Sequence, residues 1–157
     1  MNRYLPHVLV IPEDDADRQL ATGFVLEVRH ERKIQVLEEA GGWLSVCEKF
    51  RSEHIRGLRE YPNRYVVLLL DFDERDDRAD QVMANVPADL KSRVFLLGVR
   101  SEPEALKQAG LGRLEDIGRL LAKDCRDGTK NTWGHTLLQH NTPELSRLEQ
   151  TVRSILF

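Results

Sequence analysis

The chain has 157 residues, 41% hydrophobic and 31% charged, with 23 Lys and Arg against 26 Asp and Glu and a net charge of −3. A chain of that length buries roughly 68–70% of its unfolded surface in one domain, and the composition excludes disorder, collagen and a disulfide mini-protein. The slight negative charge also excludes a protein whose whole surface is a nucleic-acid footprint, leaving room only for a local basic patch.

Cys47 and Cys125 are isolated and lack CxxC spacing. That usage fits a reducing, cytoplasmic compartment in which both pack as small hydrophobes. The longest apolar run, Val66 to Leu70, falls far short of the ~20 residues of a membrane span. The residues around Arg3, Pro6 and His7 lack the apolar core and cleavage site of a secretory signal. The expectation is a cytoplasmic protein without membrane association.

In chain order, short apolar runs alternate with amphipathic stretches, the pattern of an α/β fold on a mainly parallel sheet. His7–Ile11 reads as a buried strand closed by Pro12. Asp14 or Asp15 then caps a helix with Leu20, Ala21, Phe24, Val25 and Val28 on one face. Lys33–Leu37 is a second strand, ended by Ala40-Gly41-Gly42. A long helix from Trp43 to Glu60 follows, its stripe Trp43, Val46, Cys47, Phe50 and Leu58 also carrying His54. Pro62-Asn63 breaks it. Tyr65–Leu70 reads as the central strand, buried on both faces, Asp76–Asn85 as helical, and Arg93–Val99 as a fourth strand.

Ser101 and Pro103 signal the cap and first turn of another helix, and Leu114–Cys125 carries a further apolar stripe. Asp127-Gly128 makes a turn. Thr142 as N-cap and Pro143 at the first helical position open the last helix. Thr129 to Asn141 carries no readable pattern. The expected architecture is one α/β domain over 1–157: a four-stranded, mainly parallel sheet with helices on both faces, a core over about 7–125, and a C-terminal helical extension over 126–157.

In open parallel sheets, functional groups collect beyond the carboxyl ends of the strands. The first strand runs into Glu13-Asp14-Asp15-Ala16-Asp17 and the third into Asp71-Phe72-Asp73-Glu74. Two residues apart in extended backbone, the Asp71 and Asp73 carboxylates are expected on the same side. With the two strands adjacent, Glu13 would face that pair. Converging carboxylates repel unless a cation neutralises them, and hard oxygen ligands suit Mg²⁺ or Mn²⁺ and phosphate-bearing substrates. Capping of the following helices is the other reading, and it serves Asp14, Asp15 and Asp76 well. Glu74-Arg75-Asp76-Asp77-Arg78 reads as a solvated helix start with local ion pairs.

In their order, these residues resemble the TOPRIM domain of topoisomerases, bacterial primases, small recombination and RNA-maturation proteins, and nucleases of the overcoming-lysogenization-defect family. Glu13 and Asp17 fall on the acidic positions of its Glu-Gly-x-x-Asp opening, with Asp14 in place of the glycine. Gly41-Gly42 is similar to the glycine turn of stand-alone relatives, and Asp71-Phe72-Asp73 to the Asp-x-Asp element, without its following glycine. Gly112-Arg113-Leu114-Glu115-Asp116 resembles the Gly-x-Leu-Glu-Asp segment of small members. The resemblance spans roughly residues 7–125. It implies a nuclease or nuclease-like subunit, with Glu13 as general acid/base, Asp71 and Asp73, together with Glu13, as ligands of Mg²⁺ or Mn²⁺, and Asp17 and Glu115 as second-rank site residues. It also implies nucleic acid, DNA or RNA, as the partner and allows a protein partner such as an ATPase, with the oligomeric state open.

Two other readings stand beside it: a non-catalytic interaction module that keeps the fold, and a response-regulator receiver with Asp71 as the phosphorylated residue. The receiver suffers from the long second helix and from the absence of Lys after the late strand. His30, His54, His135 and His140 do not form a zinc set, and no phosphate loop or nucleophile elbow occurs. Arg93, Arg100, Lys107, Arg113, Lys123, Arg126 and Lys130 concentrate positive charge in the second half, as a steering face or as a mixed solvated surface. Trp133 is either a base-stacking platform or a packing residue.

Overall fold

The computed structural model describes all residues, 1–157, and contains four strands: β1 (His7–Pro12), β2 (Ile34–Val36), β3 (Arg64–Leu69) and β4 (Val94–Leu97). They form one sheet in the order β2-β1-β3-β4, and every pair is parallel. The β1–β3 register runs from His7 opposite Arg64 to Pro12 opposite Leu69. All six residues of β1 are buried, as a strand covered on both faces requires. Pro12 sits inside this strand as its last residue rather than beyond it.

Alternating side chains feed two cores. Val8, Val10, Ile34, Val67, Phe95 and Leu97 face one side. Against them pack α1 (Asp15–Leu26), α5 (Pro103–Gln108), α6 (Leu114–Asp127), α7 (Thr142–Thr151) and α8 (Arg153–Leu156). Leu9, Ile11, Val66, Leu68, Val94 and Leu96 face the other side, under α2 (Trp43–Lys49), α3 (Ile55–Glu60) and α4 (Arg78–Met83). The expected long helix is continuous over α2 and α3 but contains one wide π turn, Phe50–His54. Val46, Cys47, Phe50, His54 and Leu58 are buried along it, so His54 is a core histidine.

Helices α1 and α6 cross at two glycines. A Cβ on Gly118 would lie 2.0 Å from the Leu20 carbonyl oxygen, and one on Gly23 would lie 2.0 Å from that of Glu115. Only residues without a side chain permit this approach.

The C-terminal segment completes the first core instead of decorating it: Trp133, Leu138, Leu145, Val152, Ile155 and Leu156 share a cluster with Val8 and Phe95. It also covers the open edge of β4. Leu96 N–H donates to Glu144 Oε2 (2.8 Å), and Gly98 N–H donates to Asn141 Oδ1 (3.1 Å). Arg147 donates to the Val94 carbonyl (3.2 Å). An edge strand whose polar groups are taken in this way offers no template for a foreign strand.

Residues 129–133, unreadable in sequence, wrap around one buried carboxylate. Asp124 accepts from Thr129 Oγ1 (2.6 Å) and from the main-chain N–H groups of Asn131 (3.2 Å), Thr132 (2.7 Å) and Trp133 (3.1 Å). Trp133 is only 5% exposed and donates its indole N–H to the Leu121 carbonyl, so it packs and does not offer a stacking face. Two expected caps differ from the structure. Glu102, in extended backbone, precedes α5 in place of Ser101. Asn141 precedes α7 with its amide committed to Gly98, and Thr142 is the first helical residue. No helix is long and apolar enough to cross a membrane.

Candidate functional site

The strand order reverses between β1 and β3, since β2 lies on one side of β1 and β4 beyond β3 on the other. Such a switch point opens a crevice at the carboxyl ends of the strands. The two chains part there in an orderly way. Glu13 N–H donates to the Leu69 carbonyl (2.8 Å), the last main-chain bond from β1 to β3. The Glu13 carbonyl turns towards the β2 side and accepts from the N–H groups of Gly41 (2.8 Å) and Gly42 (3.3 Å). These glycines adopt φ of 96° and 140°, a conformation that side chains disfavour, which accounts for the Gly-Gly pair. The Asp71 N–H, left without a β1 carbonyl, donates to Glu13 Oε2 at 2.6 Å.

The third acid comes from α1. Asp14 is the N-cap, its Oδ1 accepting from the Asp17 N–H (3.0 Å), and this first turn directs Asp17 inward. Glu13, Asp17 and Asp71 each bring a carboxylate oxygen within 4.8 Å of the others. Asp17 is 0% exposed, Asp71 7% and Glu13 9%. Neither Asp17 oxygen nor Asp71 Oδ1 has a hydrogen-bond partner. A buried polar atom without a partner is costly, and a carboxylate oxygen most of all.

Electrostatics follow from this burial. Desolvation pushes the Asp17 carboxyl far above the carboxylate range, and the neighbouring Asp71 and Asp14 charges add to the rise. Asp71 is raised chiefly by burial, opposed by the hydrogen bond that a protonated Asp17, and only a protonated one, could donate to it, and reinforced by Glu13, Asp14 and Asp73. Glu13 is raised by burial, with the Asp71 N–H pulling the other way. As it stands, the cluster favours holding protons or a cation.

Asp73 is near enough to add to this repulsion, but its carboxylate is turned elsewhere. The expected alternation of Asp71 and Asp73 does not occur, because β3 ends at Leu69 and Asp73 and Glu74 adopt φ of 50° and 58°. Asp73 Oδ2 instead accepts from Arg78 Nη1 at 2.9 Å, with about half of the Asp73 side chain in solvent. Glu115 is exposed on α6, opposite Gly23, which lies six residues and about 9 Å along α1 from Asp17. The structure thus brings together Glu13, Asp71 and Asp17, and leaves Asp73 and Glu115 outside that group.

Arg78 is the residue that sequence reasoning passed over. Within the supposedly solvated run it is only 4% exposed. Its guanidinium lies 4.3 Å from the Trp43 ring centroid and donates to the Asp71 carbonyl (3.0 Å) as well as to Asp73. The available signal was its position as the first residue of α4, one turn beyond the acidic pair. Its neighbours behave as expected: Arg75 pairs with Asp77 and Arg100 with Asp76 at the surface. Of the seven basic residues singled out above, Arg93 is tied to the carbonyls of Leu58, Tyr61 and Arg64. Arg100, Arg113 and Arg126 each pair with an Asp. These four are internally engaged, which leaves Lys107, Lys123 and Lys130 as the remaining cations of the seven.

The three-acid set fits a small hard cation. Octahedral Mg²⁺ with bonds of ~2.1 Å places its ligand oxygens ~3 to ~4.2 Å apart, so oxygens within 4.8 Å of one another need only a slight contraction. Fold and site define an open, parallel α/β protein with a buried carboxylate cluster at the switch point of its sheet. No protein-family model and no curated protein sequence matches the chain.

Proposed function

We propose that the protein is a TOPRIM-like, Mg²⁺- or Mn²⁺-dependent enzyme of nucleic-acid phosphodiester chemistry, a small nuclease or nuclease-like subunit. The observation that carries this reading is Asp17: a wholly buried carboxylate with both oxygens unpartnered, facing Glu13 and Asp71 at the sheet's switch point. A divalent cation, when bound there, would supply Lewis acidity to a phosphoryl oxygen. Asp17 and Asp71 would hold it. Glu13 anchors the crevice through Oε2 and keeps Oε1 free for proton transfer, and its raised pKa moves it towards the range in which an acid/base group works near neutral pH. Arg78 keeps Asp73 and the Asp71 carbonyl in place on one side of the crevice.

The test combines cleavage and binding. Single- and double-stranded DNA and RNA are incubated with the wild type and Asp71→Ala in Mn²⁺, Mg²⁺ or EDTA, and Mn²⁺ binding is measured by calorimetry. Metal-dependent cleavage by the wild type alone is expected. Absence of both cleavage and Mn²⁺ binding would overturn the proposal.

Arg78 supports a second reading, a non-catalytic interaction module. A buried guanidinium beside the acids already offsets part of their charge without any metal. This reading predicts a protein partner captured equally by the wild type and Asp71→Ala, with no cleavage by either.

A further inference from the structure

The first core is not filled. A cavity of about 100 Å³ lies between the sheet face at Val8 and Val10 and the inner sides of α1, α6, α7 and α8. Protein interiors pack with few voids larger than a water molecule, and one water needs only about 10–15 Å³ of such space. There is room for several waters and nothing to hold them. Of 21 lining residues, 18 are hydrophobic, the exceptions being Gly98, Glu149 and Arg153.

The polar atoms of the wall are already used. Asn141 takes both the N–H and the carbonyl of Gly98, and the Trp133 indole N–H is bound to the Leu121 carbonyl. A water needs two to four polar partners to be stable at such a site, and this lining offers almost none. Glu149 and Arg153 mark its mouth. Together with Phe157 they also line an adjoining polar vestibule bounded by Glu27, Arg29, Arg126 and Ser154. Val152, where α7 gives way to α8, also lines the cavity.

We propose that this cavity is a binding site for a small amphipathic molecule: an apolar end of benzene to hexyl size enters between α1, α6 and α7, and a single polar end stays in the vestibule. Apolar cavities of this scale accept such guests because the guest supplies the dispersion contacts that the walls lack. A polar group at the inner end is rejected, since nothing on the wall can pair with it. The proposal is independent of the metal reading, because none of Glu13, Asp17 and Asp71 lines the cavity.

The experiment titrates the full chain, in EDTA, with 1-hexanol and with 1,6-hexanediol. Binding is followed by the methyl NMR signals of Leu148 and Val152 and by Trp133 emission. We expect saturable 1:1 binding of hexanol, with the diol at least tenfold weaker. Leu148→Phe, which fills the space, should abolish hexanol binding, and Leu148→Ala, which enlarges it, should tighten binding of 1-octanol. Should either variant fail to fold, the hexanol-to-diol ratio of the wild type decides alone. No saturable shift with hexanol, or equal affinity for the diol, would overturn the proposal.

Discussion

The main-chain N–H of Asp71 donates to Glu13 Oε2 at 2.6 Å, so the acid that follows β1 supplies a partner to the chain beyond β3 where the two strands part. One carboxylate oxygen is spent on the fold, and the other takes no part in that bond. The bond also fixes the distance between the two strand ends, and with it the crevice into which Asp17 is turned from α1.

Asp17→Asn keeps the shape of the side chain and removes its charge. Without divalent metal, we expect the variant to be at least as stable as the wild type at pH 8. The native state holds the Asp17 proton well above the pH at which the unfolded chain releases it, and that difference destabilises the wild type as pH rises. On the metal reading proposed above, Mn²⁺ reverses the order, because the variant would lack one of the proposed ligands. Apparent Mn²⁺ affinity, read from the rise in Tm with metal concentration, should fall at least tenfold.

The Asp71 carboxyl, raised to about 7 mainly by burial, sets a pH window. An unfolded Asp titrates near 3.9, so between about 4 and 7 the native state binds the proton and the unfolded state does not. Stability relative to Asp71→Asn should therefore fall as pH rises through that interval and level off above it. Urea midpoints of the two proteins at pH 4.5, 6 and 8 in EDTA give the comparison. A difference independent of pH would mean that Asp71 ionises as a solvated acid does.

Replacing Arg78 tests the buried guanidinium. Arg78→Met leaves the Asp71 carbonyl and Asp73 without their donor and should destabilise the protein by about 2 kcal/mol, the scale of a hydrogen bond to a charged group. Arg78→Lys restores the charge but not the flat stacking on Trp43, and should recover only part of the loss. Urea unfolding with Trp43 emission measures both. Full recovery by Lys would show that charge alone matters there.

At the α1–α6 crossing, Gly118→Ala forces a methyl group against the Leu20 carbonyl. Overpacking of this kind costs about 1–3 kcal/mol, and we expect the upper half of that range because the obstacle is backbone. Thr22→Ala, at an exposed position of the partner helix α1, serves as the control and should change stability by less than about 0.5 kcal/mol. Equal effects would remove the close crossing from the account of the fold.

Much of the sheet was legible because its strands are apolar runs bounded by breakers. The central run from Tyr65 is β3 within a residue at each end, and Lys33–Leu37 contains the shorter β2. That Asp71 and Glu13 lie close together was legible for the same reason: acids that directly follow adjacent buried strands have few other places to go. Asp73 was misjudged because strand alternation was carried past the end of the strand into left-handed backbone. Arg78 and Asp124 were hidden in charged stretches, where local composition reads as solvated surface although each is at most 4% exposed.

Hydrophobic periodicity and chain breakers act over a few residues, and local pattern therefore sufficed for the parallel α/β class, the positions of the strands and the concentration of acids at two strand ends. Which acids meet depends on long-range packing. Asp17 joins Glu13 and Asp71 because α1 docks with that side of its first turn inward, and that docking depends on Gly23 and Gly118, separated by 95 residues of chain. The same long-range packing buries Arg78 over Trp43 and draws the C-terminal helices into the core, leaving the apolar cavity between them. Contacts between residues so far apart arise from the shape of the whole fold, and no local pattern encodes them.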